Sequence, residues 1–332
     1  MSEPPRPEAN ATPAALPRAP DGGEALLSHA LAELRQEIRA RLPERAPSPS
    51  PGFDPMALFD ELRRRLSTLG MSEQRFDVDD FGLDAQALER ALPLLDFLAD
   101  RYWRVDVRGL EALELDAPCL FVANRSGLLP YDGLMIAHAV ARCFPELERA
   151  RFLIADWLVT LPFAQSFFAR LGGVRACREN AERLLARGAP VIAFPEGAKG
   201  ATKPFRDRYR LQRFGRGGVV RVAIDMRCPL VPVAVVGAEE AHPVLFKVET
   251  IARMAGLPFV PVTPTFPWLG PLGLVPLPSK WSLHFGPAIS TAHLGREAAR
   301  DELLVSRMTE ELRREIQARV NDGLRARSSI WG

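Results

Sequence analysis

The segment Phe194–Gly200, which reads Phe-Pro-Glu-Gly-Ala-Lys-Gly, brings a carboxylate, a glycine and a cation close together in the chain. It follows the apolar run 191–193, so the sequence predicts that it lies at the end of a buried strand. A glycine at such a point lets a ligand approach the main chain closely. Seven lysines and arginines fall between Lys199 and Arg216. Their density suits a phosphate-bearing substrate, because these side chains supply both attraction and directed hydrogen bonds.

A second polar segment, Asn124–Asp132, follows the apolar run 119–123 about seventy residues upstream, and Val231–Gly237 forms a later apolar run that contains a Val-Pro step. Together the three segments resemble the glycerolipid acyltransferase superfamily. Its members carry an Asn-His-x4-Asp block, then a Phe-Pro-Glu-Gly block, then a Val-Pro block on a later strand. The resemblance covers roughly residues 100 to 290.

The resemblance implies an α/β fold, a mostly parallel sheet flanked by helices of the glycerol-3-phosphate acyltransferase type, with an N-terminal helical extension. It implies transfer of a fatty acyl group from acyl-CoA or an acyl carrier protein to the hydroxyl of a lysophospholipid or glycerol phosphate-type acceptor. Neither a metal nor a redox cofactor is expected. The expected partners are the lipid acceptor, acyl-CoA and a membrane surface, with no nucleic acid. The expected location is cytoplasmic, peripheral to the inner face of a membrane.

The position that holds the catalytic histidine in the family is occupied here by Arg125, and Asp132 follows seven residues later instead of five. Arginine stays protonated and cannot act as a general base. Three interpretations stay open at this point. Asp132 or His138 replaces the base, or Arg125 binds a phosphate or stabilises the oxyanion, or catalysis is lost and the chain binds lipid or acyl-CoA.

The resemblance also assigns substrate contacts to the first two blocks and to a further block, Gly172–Arg178, in which a glycine-led strand presents a basic residue to phosphate. The predicted substrate-binding residues are Asn124, Ser126, Arg175, Arg178, Glu196, Gly197 and Lys199. Either Arg175 or Arg178 would meet the phosphate, although Arg178 is equally typical of a helix-start residue paired with Glu179 or Glu182.

Two histidines have ordinary interpretations beside the catalytic one. His138 lies in a predicted helix, where a lone histidine is more often a packed or half-exposed residue than a base, and His242 follows the Val-Pro strand, where a base is no better supported. A serine hydrolase based on Ser126 is disfavoured, because the Gly-x-Ser-x-Gly elbow is absent.

Composition is that of a globular protein: of 332 residues, 47% are hydrophobic and 25% are charged. A net charge of +2 is too small to argue for nucleic acid, and four cysteines without Cys-x-x-Cys spacing suggest reduced thiols in a cytosolic compartment. No signal peptide is evident. The predicted organisation is a largely disordered Pro-rich region at 1–55 with one helix at 24–42, a helical extension at 56–104, an acyltransferase-like α/β domain at 105–290 and a C-terminal helix at 291–332.

Short apolar runs alternate with amphipathic stretches, which predicts βαβ units and a sheet covered on both faces. The predicted strands are 119–123, 151–155, 173–176, 190–194 and 230–236. The predicted helices include 132–143, 162–171, 179–187 and 212–226. Ligand sites then lie beyond the carboxyl ends of the strands.

Two apolar features bear on membrane contact. Tyr102 and Trp103 end the predicted helix Leu83–Trp103, where they fit either a membrane interface or a helix packed under the sheet. The segment 254–279 has no charged residue but seven prolines, so we expect an irregular apolar loop rather than a spanning helix. That loop would enter one leaflet, line an acyl-chain channel or fold over the core.

Overall fold

The computed structural model describes most of the chain from residue 54 onward. The described residues are 54–68, 78–115, 118–127, 129–159, 164–248, 260–265, 268–269, 273 and 275–330. The predicted helix at 24–42, the Pro-rich segments around it and much of the apolar segment 254–279 lie outside these residues.

The described elements alternate between helices and short strands. The helices are α1 (Pro55–Thr68), α2 (Ala85–Phe97), α3 (Tyr131–Cys143), α4 (Asp156–Val159), α5 (Ala164–Arg170), α6 (Arg178–Ala186), α7 (Gly197–Ala201), α8 (Gly218–Met226) and α9 (Glu302–Ala326). The strands are β1 (Asp106–Arg108), β2 (Leu120–Ala123), β3 (Arg151–Ile154), β4 (Gly173–Arg175), β5 (Val191–Ala193), β6 (Leu230–Val236), β7 (Phe246–Val248), β8 (Val260–Val262) and β9 (Ser282–Phe285).

Seven of the described strands form one mixed sheet in the order β1-β9-β6-β2-β5-β3-β4, and β7 pairs with β8 in a separate antiparallel ribbon. Every neighbouring pair in the main sheet is parallel except β6 and β9. The central strands β2, β5 and β6 are buried along their whole length. Continuous apolar runs are typical of strands covered on both faces. The prediction of a mostly parallel α/β sheet is therefore confirmed.

The two faces of the sheet carry separate apolar layers. Phe121, paired with Ile192 and Val231 on the adjacent strands, faces a layer that includes α2 and α3. Leu120, one residue earlier, faces the opposite layer, which includes α6, α8 and α9. Successive strand side chains point to opposite faces, so a four-residue strand is enough to join both layers.

The structure corrects several predicted boundaries. The predicted helix 212–226 begins only at Gly218, because Gly217 has a positive φ of 75° and residues 212–217 form a loop. The C-terminal α-helix begins at Glu302, where the Asp301 side chain accepts from the N–H groups of Leu303 and Leu304. The sequence did not predict β1 or β9. The short strand β9 alternates half-buried and buried residues, a weaker signal than a continuous apolar run.

The aromatic pair after α2 belongs to the core, so of the two interpretations left open by the sequence the structure supports a helix packed under the sheet. Tyr102 and Trp103 are fully buried, and the Trp103 ring stacks on Trp281 at a centroid distance of 4.2 Å and an interplanar angle of 16°. The Trp103 carbonyl accepts from the Trp281 N–H at 2.9 Å. These contacts attach the helical segment to the main sheet beside β9. No helix within the described part of the chain is long and apolar enough to cross a bilayer.

Replacing Trp281 by alanine should lower the free energy of unfolding by about 3–5 kcal/mol, because it removes a large buried ring and leaves a cavity beside Trp103. Urea denaturation followed by circular dichroism measures the change. Trp268→Ala is the matched control, since that ring is 78% exposed and its loss should cost less than about 0.5 kcal/mol. Equal stability of the two variants would contradict the proposed role of the stacked pair.

Candidate functional site

Two polar segments meet where adjacent parallel strands end. Asn124–Ser126 follow β2, and Phe194–Glu196 follow β5, the strand paired in parallel with β2. The carboxyl ends of parallel strands lie at one edge of a sheet, where α/β proteins bind ligands. The structure brings five predicted site residues into contact at this edge: Asn124, Arg125, Ser126, Asp132 and Glu196.

Asn124 joins β2 to the next strand. Its side chain is fully buried, donates to the Val235 carbonyl at 3.0 Å and accepts from the Val235 N–H at 2.7 Å. The same amide donates to Ser126 Oγ at 3.1 Å. Asn124 thus satisfies the backbone N–H and carbonyl of Val235 on β6, where the β2–β6 ladder ends. Its side chain has no access to solvent, so it links the two strands structurally.

Arg125 is held at three points. Its backbone N–H donates to Glu196 Oε1 at 2.8 Å, and its guanidinium pairs with the Asp132 carboxylate. The guanidinium carbon also lies 5.0 Å from the centroid of the Phe194 ring, a cation–π arrangement. Only 8% of its side chain is exposed. The charge is therefore fixed in orientation at the end of the sheet.

Asp132, in the first turn of α3, is fully surrounded by donors. Oδ1 accepts from the Gly133 N–H at 2.8 Å and from Arg125, while Oδ2 accepts from the Ser126 N–H at 2.9 Å. Burial raises the pKa of this carboxyl, and the guanidinium of Arg125 opposes that rise. With both oxygens engaged inside the fold, Asp132 is placed to orient Arg125 and the 124–126 turn.

Glu196 is as deeply buried as Asp132 and also points inward. Oε1 accepts from the Arg125 N–H, and Oε2 accepts from the Gln212 N–H at 2.6 Å. Burial raises the pKa of this carboxyl, against the opposing charge of Lys203. Lys203 Nζ lies 3.9 Å from Glu196 Oε2 and 3.0 Å from Glu239 Oε1. The predicted substrate residue Glu196 thus positions the backbone of two other segments, at Arg125 and at Gln212.

Gly200 permits this close packing. A Cβ added there would lie 2.7 Å from the Glu196 Cβ and 2.8 Å from the Arg125 Cβ, so any larger residue would push the two apart. Gly200, Lys203, Gln212 and Glu239 were not among the predicted site residues. The sequence shows Gly200 as a glycine four residues after Glu196, so it could have been included. The contacts of the other three residues depend on tertiary structure.

The remaining predicted residues lie around this cluster. Gly197 begins α7 at a positive φ of 57°, and Lys199 in the same short helix is exposed. Arg175, the last residue of β4, pairs with Asp156 at 2.8 Å. Arg178 at the start of α6 pairs with Glu182 at 2.6 Å and with Asp225 at 2.7 Å, which agrees with its interpretation as a paired helix-start residue.

His138 does not join the cluster. Its Nε2 lies 3.0 Å from Asp96 Oδ1 on α2, and its Nδ1 is buried without a hydrogen-bond partner in the described structure. Burial lowers the pKa of this imidazole. The geometry gives no support to the catalytic role predicted for His138, because neither nitrogen faces Arg125 or Asp132. His242 stacks on Tyr131 at a centroid distance of 5.8 Å and is also buried.

An apolar cavity of about 230 Å³ opens beside Arg125. It runs along the face of the sheet from Arg125 and Phe194 to Leu120, between α6 and α8, with Val219 and Val222 on one wall. Arg178 and Gly197 lie on its polar side. An apolar volume with two arginines at its wall suits a ligand with a hydrocarbon chain and a polar reactive group.

The parallel sheet and the residues gathered at its edge define an α/β protein whose ligand site lies at the ends of β2 and β5. Residues 104–236 match the profile of the Acyltransferase family. The chain is 43% identical over 259 residues to the uncharacterized protein Rv0502 of Mycobacterium tuberculosis (strain ATCC 25618 / H37Rv), covering 77% of this chain and 72% of that protein. Identity to the uncharacterized protein ML2427 of Mycobacterium leprae (strain TN) is 42% over 281 residues, covering 83% and 77%.

The chain belongs to the acyltransferase family, and it is an enzyme of the transferase class. This confirms the resemblance found in its sequence. Among solved structures, the 1-acyl-sn-glycerophosphate (LPA) acyltransferase PlsC from Thermotoga maritima superimposes with a TM-score of 0.47 at 17% identity, covering 83% of this chain and 98% of that chain. No group of three or more metal-ligating side chains occurs among the residues that the structure describes.

Asn124→Ala should destabilise the fold by about 1–3 kcal/mol for each of the two Val235 backbone groups that it leaves buried and unpaired. Thermal and urea unfolding measure the loss. Asn180→Ala is the matched control, because the Asn180 amide donates to the Arg175 carbonyl at an exposed site. Destabilisation by Asn180→Ala as large as that by Asn124→Ala would show that the buried link has no special weight.

Proposed function

We propose that this enzyme moves a fatty acyl group from a thioester, acyl-CoA or an acyl carrier protein, to the hydroxyl of a lysophospholipid or glycerol phosphate-type acceptor. The observation that carries the proposal is the apolar cavity with Arg125, held by Asp132, at its wall, at the strand ends of an acyltransferase domain. The cavity takes the acyl chain, and Arg125 lies where the polar thioester would emerge.

In this proposal Arg125 supplies the electrophilic assistance. Its guanidinium carries N–H donors in a planar fork and lines the apolar cavity. This fixed positive charge would stabilise the negative charge that develops on the thioester oxygen. Because Asp132 and Phe194 hold the side chain in place before substrate arrives, little reorganisation is needed during the reaction.

Asp132 is less suited to replace the missing base. Its two oxygens already accept three hydrogen bonds, and Asp132 does not line the cavity, whereas the arginine that it orients does. Of the interpretations left open by the sequence, oxyanion stabilisation by Arg125 therefore has the most support. Asp132 acts as a positioning residue, and Glu196 does the same for the Arg125 backbone.

The reaction itself needs no redox step and no metal. The acceptor oxygen attacks the thioester carbonyl carbon, a tetrahedral intermediate forms, and the C–S bond breaks to give an ester and a thiol. Overall, the proton of the acceptor hydroxyl is transferred through water to the departing thiolate sulfur. Alignment of the two substrates provides the remaining acceleration.

The acceptor phosphate has a cation available at the rim of the cavity. Arg178 lines the cavity and is held between Glu182 and Asp225, so its position is defined and some of its donors stay free for a phosphate. Arg175 at the end of β4 is the neighbouring cation. Arginine suits this contact because its planar fork matches phosphate oxygens.

An apolar surface near β7 and β8 suits peripheral contact with a membrane. Phe246 is 70% exposed and Trp268 is 78% exposed, with Leu245 and Leu269 beside them in the chain. The Leu245 backbone N–H donates to the Val262 carbonyl at 2.8 Å, and the Leu269 backbone N–H donates to the Thr265 carbonyl at 2.8 Å. The segments that carry these side chains therefore lie close together. Exposed aromatic rings of this kind favour the interfacial region of a bilayer. We place the enzyme at the inner face of a membrane, with this surface against the lipid.

Arg125→Gln should lower acceptor-dependent thiol release from long-chain acyl-CoA by about 10²–10³-fold, the usual cost of removing one oxyanion donor. A thiol-trapping assay with and without lysophosphatidate measures the rate. Arg300→Gln is the control, because Arg300 is an exposed arginine on the Arg296–Arg300 turn.

The Arg125→His variant tests whether a general base can be restored at the same site. An imidazole beside Asp132 would be a general base, and the rate of the variant should rise with pH through the pKa of the imidazole. The wild type should lack that titration near neutral pH. If the wild type is silent while Arg125→His is active, the native chain is an acyltransferase-fold lipid or acyl-CoA binder. Acceptor-independent thiol release would point to a hydrolase.

The combined change Phe246→Ser and Trp268→Ser should weaken binding to phosphatidylglycerol-containing vesicles at least tenfold, because each ring contributes about 1.5–3 kcal/mol when buried in an apolar phase. Vesicle sedimentation measures the bound fraction. Leu303→Ser provides the control, since Leu303 is 84% exposed on α9. Equal losses in both proteins would argue against a localised docking surface.

A further inference from the structure

A lysine that takes no part in the proposed reaction lies between two buried acids behind the site. Only 3% of the Lys203 side chain is exposed. Its Nζ lies 3.0 Å from Glu239 Oε1 and 3.9 Å from Glu196 Oε2. Among the residues that the structure describes, Lys203 is the only ion-pair partner of either carboxylate. One ammonium group therefore serves two acids.

Glu239 lies in the turn that follows β6, and it is buried. Burial raises the pKa of its carboxyl to about 7, and the charge of Lys203 opposes that rise. The adjacent Glu240 does not share this lysine, because it pairs with Arg327 at 2.6 Å. The lysine–glutamate cluster, formed by Glu196, Lys203 and Glu239, thus contains one cation and two acids.

Every member of the lysine–glutamate cluster bonds to the backbone of one loop, residues 209–212. The bonds run from the Tyr209 N–H to Glu239 Oε1 at 3.1 Å, from Lys203 Nζ to the Arg210 carbonyl at 3.1 Å and from the Gln212 N–H to Glu196 Oε2 at 2.6 Å. The other oxygen of Glu196 accepts from the Arg125 N–H at 2.8 Å. The cluster therefore connects this loop with the arginine at the wall of the apolar cavity.

We propose that Lys203 is a positioning residue for the acyl transfer and that it acts through Glu196 on Arg125. The proposal rests on the acyl-transfer function proposed above. Both oxygens of Glu196 accept from backbone N–H groups, and a protonated carboxyl would turn one of them into a donor. Without a nearby cation, burial favours that protonated form. By balancing its charge, Lys203 keeps Glu196 ionised and holds the Arg125 backbone where the guanidinium meets the cavity.

Glu239 competes with Glu196 for the same ammonium group, and this competition gives the proposal a specific signature. Removing the lysine leaves two buried carboxylates without a cation. Removing the Glu239 carboxylate as well returns the charge of the cluster to its original value, so the second change should offset part of the first. Two changes that only disturbed packing would instead give losses that add.

The test compares four full-length proteins: the wild type, Lys203→Met, Glu239→Gln and the double variant that combines both changes. Acceptor-dependent thiol release from long-chain acyl-CoA gives kcat and KM. Lys203→Met should lower kcat by about 10–10²-fold while KM for acyl-CoA stays nearly constant, because a small displacement of the reacting groups slows the chemical step. The double variant should be at least about threefold faster than Lys203→Met.

Arg151→Met is the matched control, since it also removes a buried cation from an ion pair, here with Asp79. Arg151 begins β3, whereas the site lies at the carboxyl ends of the strands. The change should lower the stability of the fold and leave kcat unaltered. Lys203→Arg tests the charge directly: because it keeps a cation, it should be faster than Lys203→Met.

Amide hydrogen exchange measured by NMR reports the positioning without turnover. In Lys203→Met, the Arg125 and Gln212 N–H groups should exchange at least about tenfold faster than in the wild type, and the double variant should restore part of their protection. Arg151→Met should not single out these two amides. A wild type without turnover would contradict the proposed reaction alone, and the exchange rates would then decide the role of Lys203.

The proposal is overturned if the two amides exchange in Lys203→Met as they do in the wild type, or if the double variant is no better than Lys203→Met in either measurement. It is also overturned if Arg151→Met lowers kcat as much as Lys203→Met does. Should Lys203→Met fail to fold, the double variant must fold for the proposal to stand, because its buried cluster has the same charge as that of the wild type.

Discussion

The carboxylate of Glu196 is the contact on which the rest of the site depends. One oxygen holds the backbone after β2, the other holds the loop before α8, and Gly200 packs against its side chain. Burying a carboxylate is costly unless its charge is met by hydrogen bonds or an opposite charge. Two backbone N–H donors and the nearby Lys203 provide that compensation. Because the buried carboxylate needs these partners, it fixes the relative positions of three segments that are distant in the chain.

Asp132 and Arg125 repeat this arrangement one step closer to the cavity. The buried carboxylate and the buried guanidinium form an ion pair. The carboxylate also accepts hydrogen bonds from backbone N–H groups, and the guanidinium packs over an aromatic ring. In a histidine–aspartate pair, the charge on the ring would change near neutral pH. An arginine in that position has no neutral form to offer in a protein. The substitution therefore exchanges a group that can move a proton for one that can only stabilise charge.

Much of the fold could be predicted from the sequence, because the central strands are continuous apolar runs that end in polar residues. The strands β2, β5 and β6 and the meeting of Asn124 with Glu196 at one sheet edge followed from that pattern. The alternating burial of β9 gives a weaker sequence signal than a continuous apolar run. Gly217 has a left-handed backbone conformation, so α8 begins later than the helical periodicity of 212–226 predicts.

The direction of buried side chains was harder to predict than their neighbourhood. Glu196 was expected to contact substrate, yet both of its oxygens bind backbone groups that no local pattern could bring near it. His138 lies on the same helix as Asp132, but the partner that fixes it, Asp96, is 42 residues earlier. Spacing along the chain identifies which residue types gather at a strand end. The hydrogen bonds made there depend on tertiary contacts.

The position of α9 has a consequence for biosynthesis. Gln317 contacts the loop before α8 across 106 residues of sequence, and Val305 closes the space behind Gly217. A nascent chain in which the sheet has already formed would lack both contacts until α9 leaves the ribosome. The loop before α8 can take its final conformation only then. The contacts that fix this loop therefore form after the strands that surround it have been synthesised.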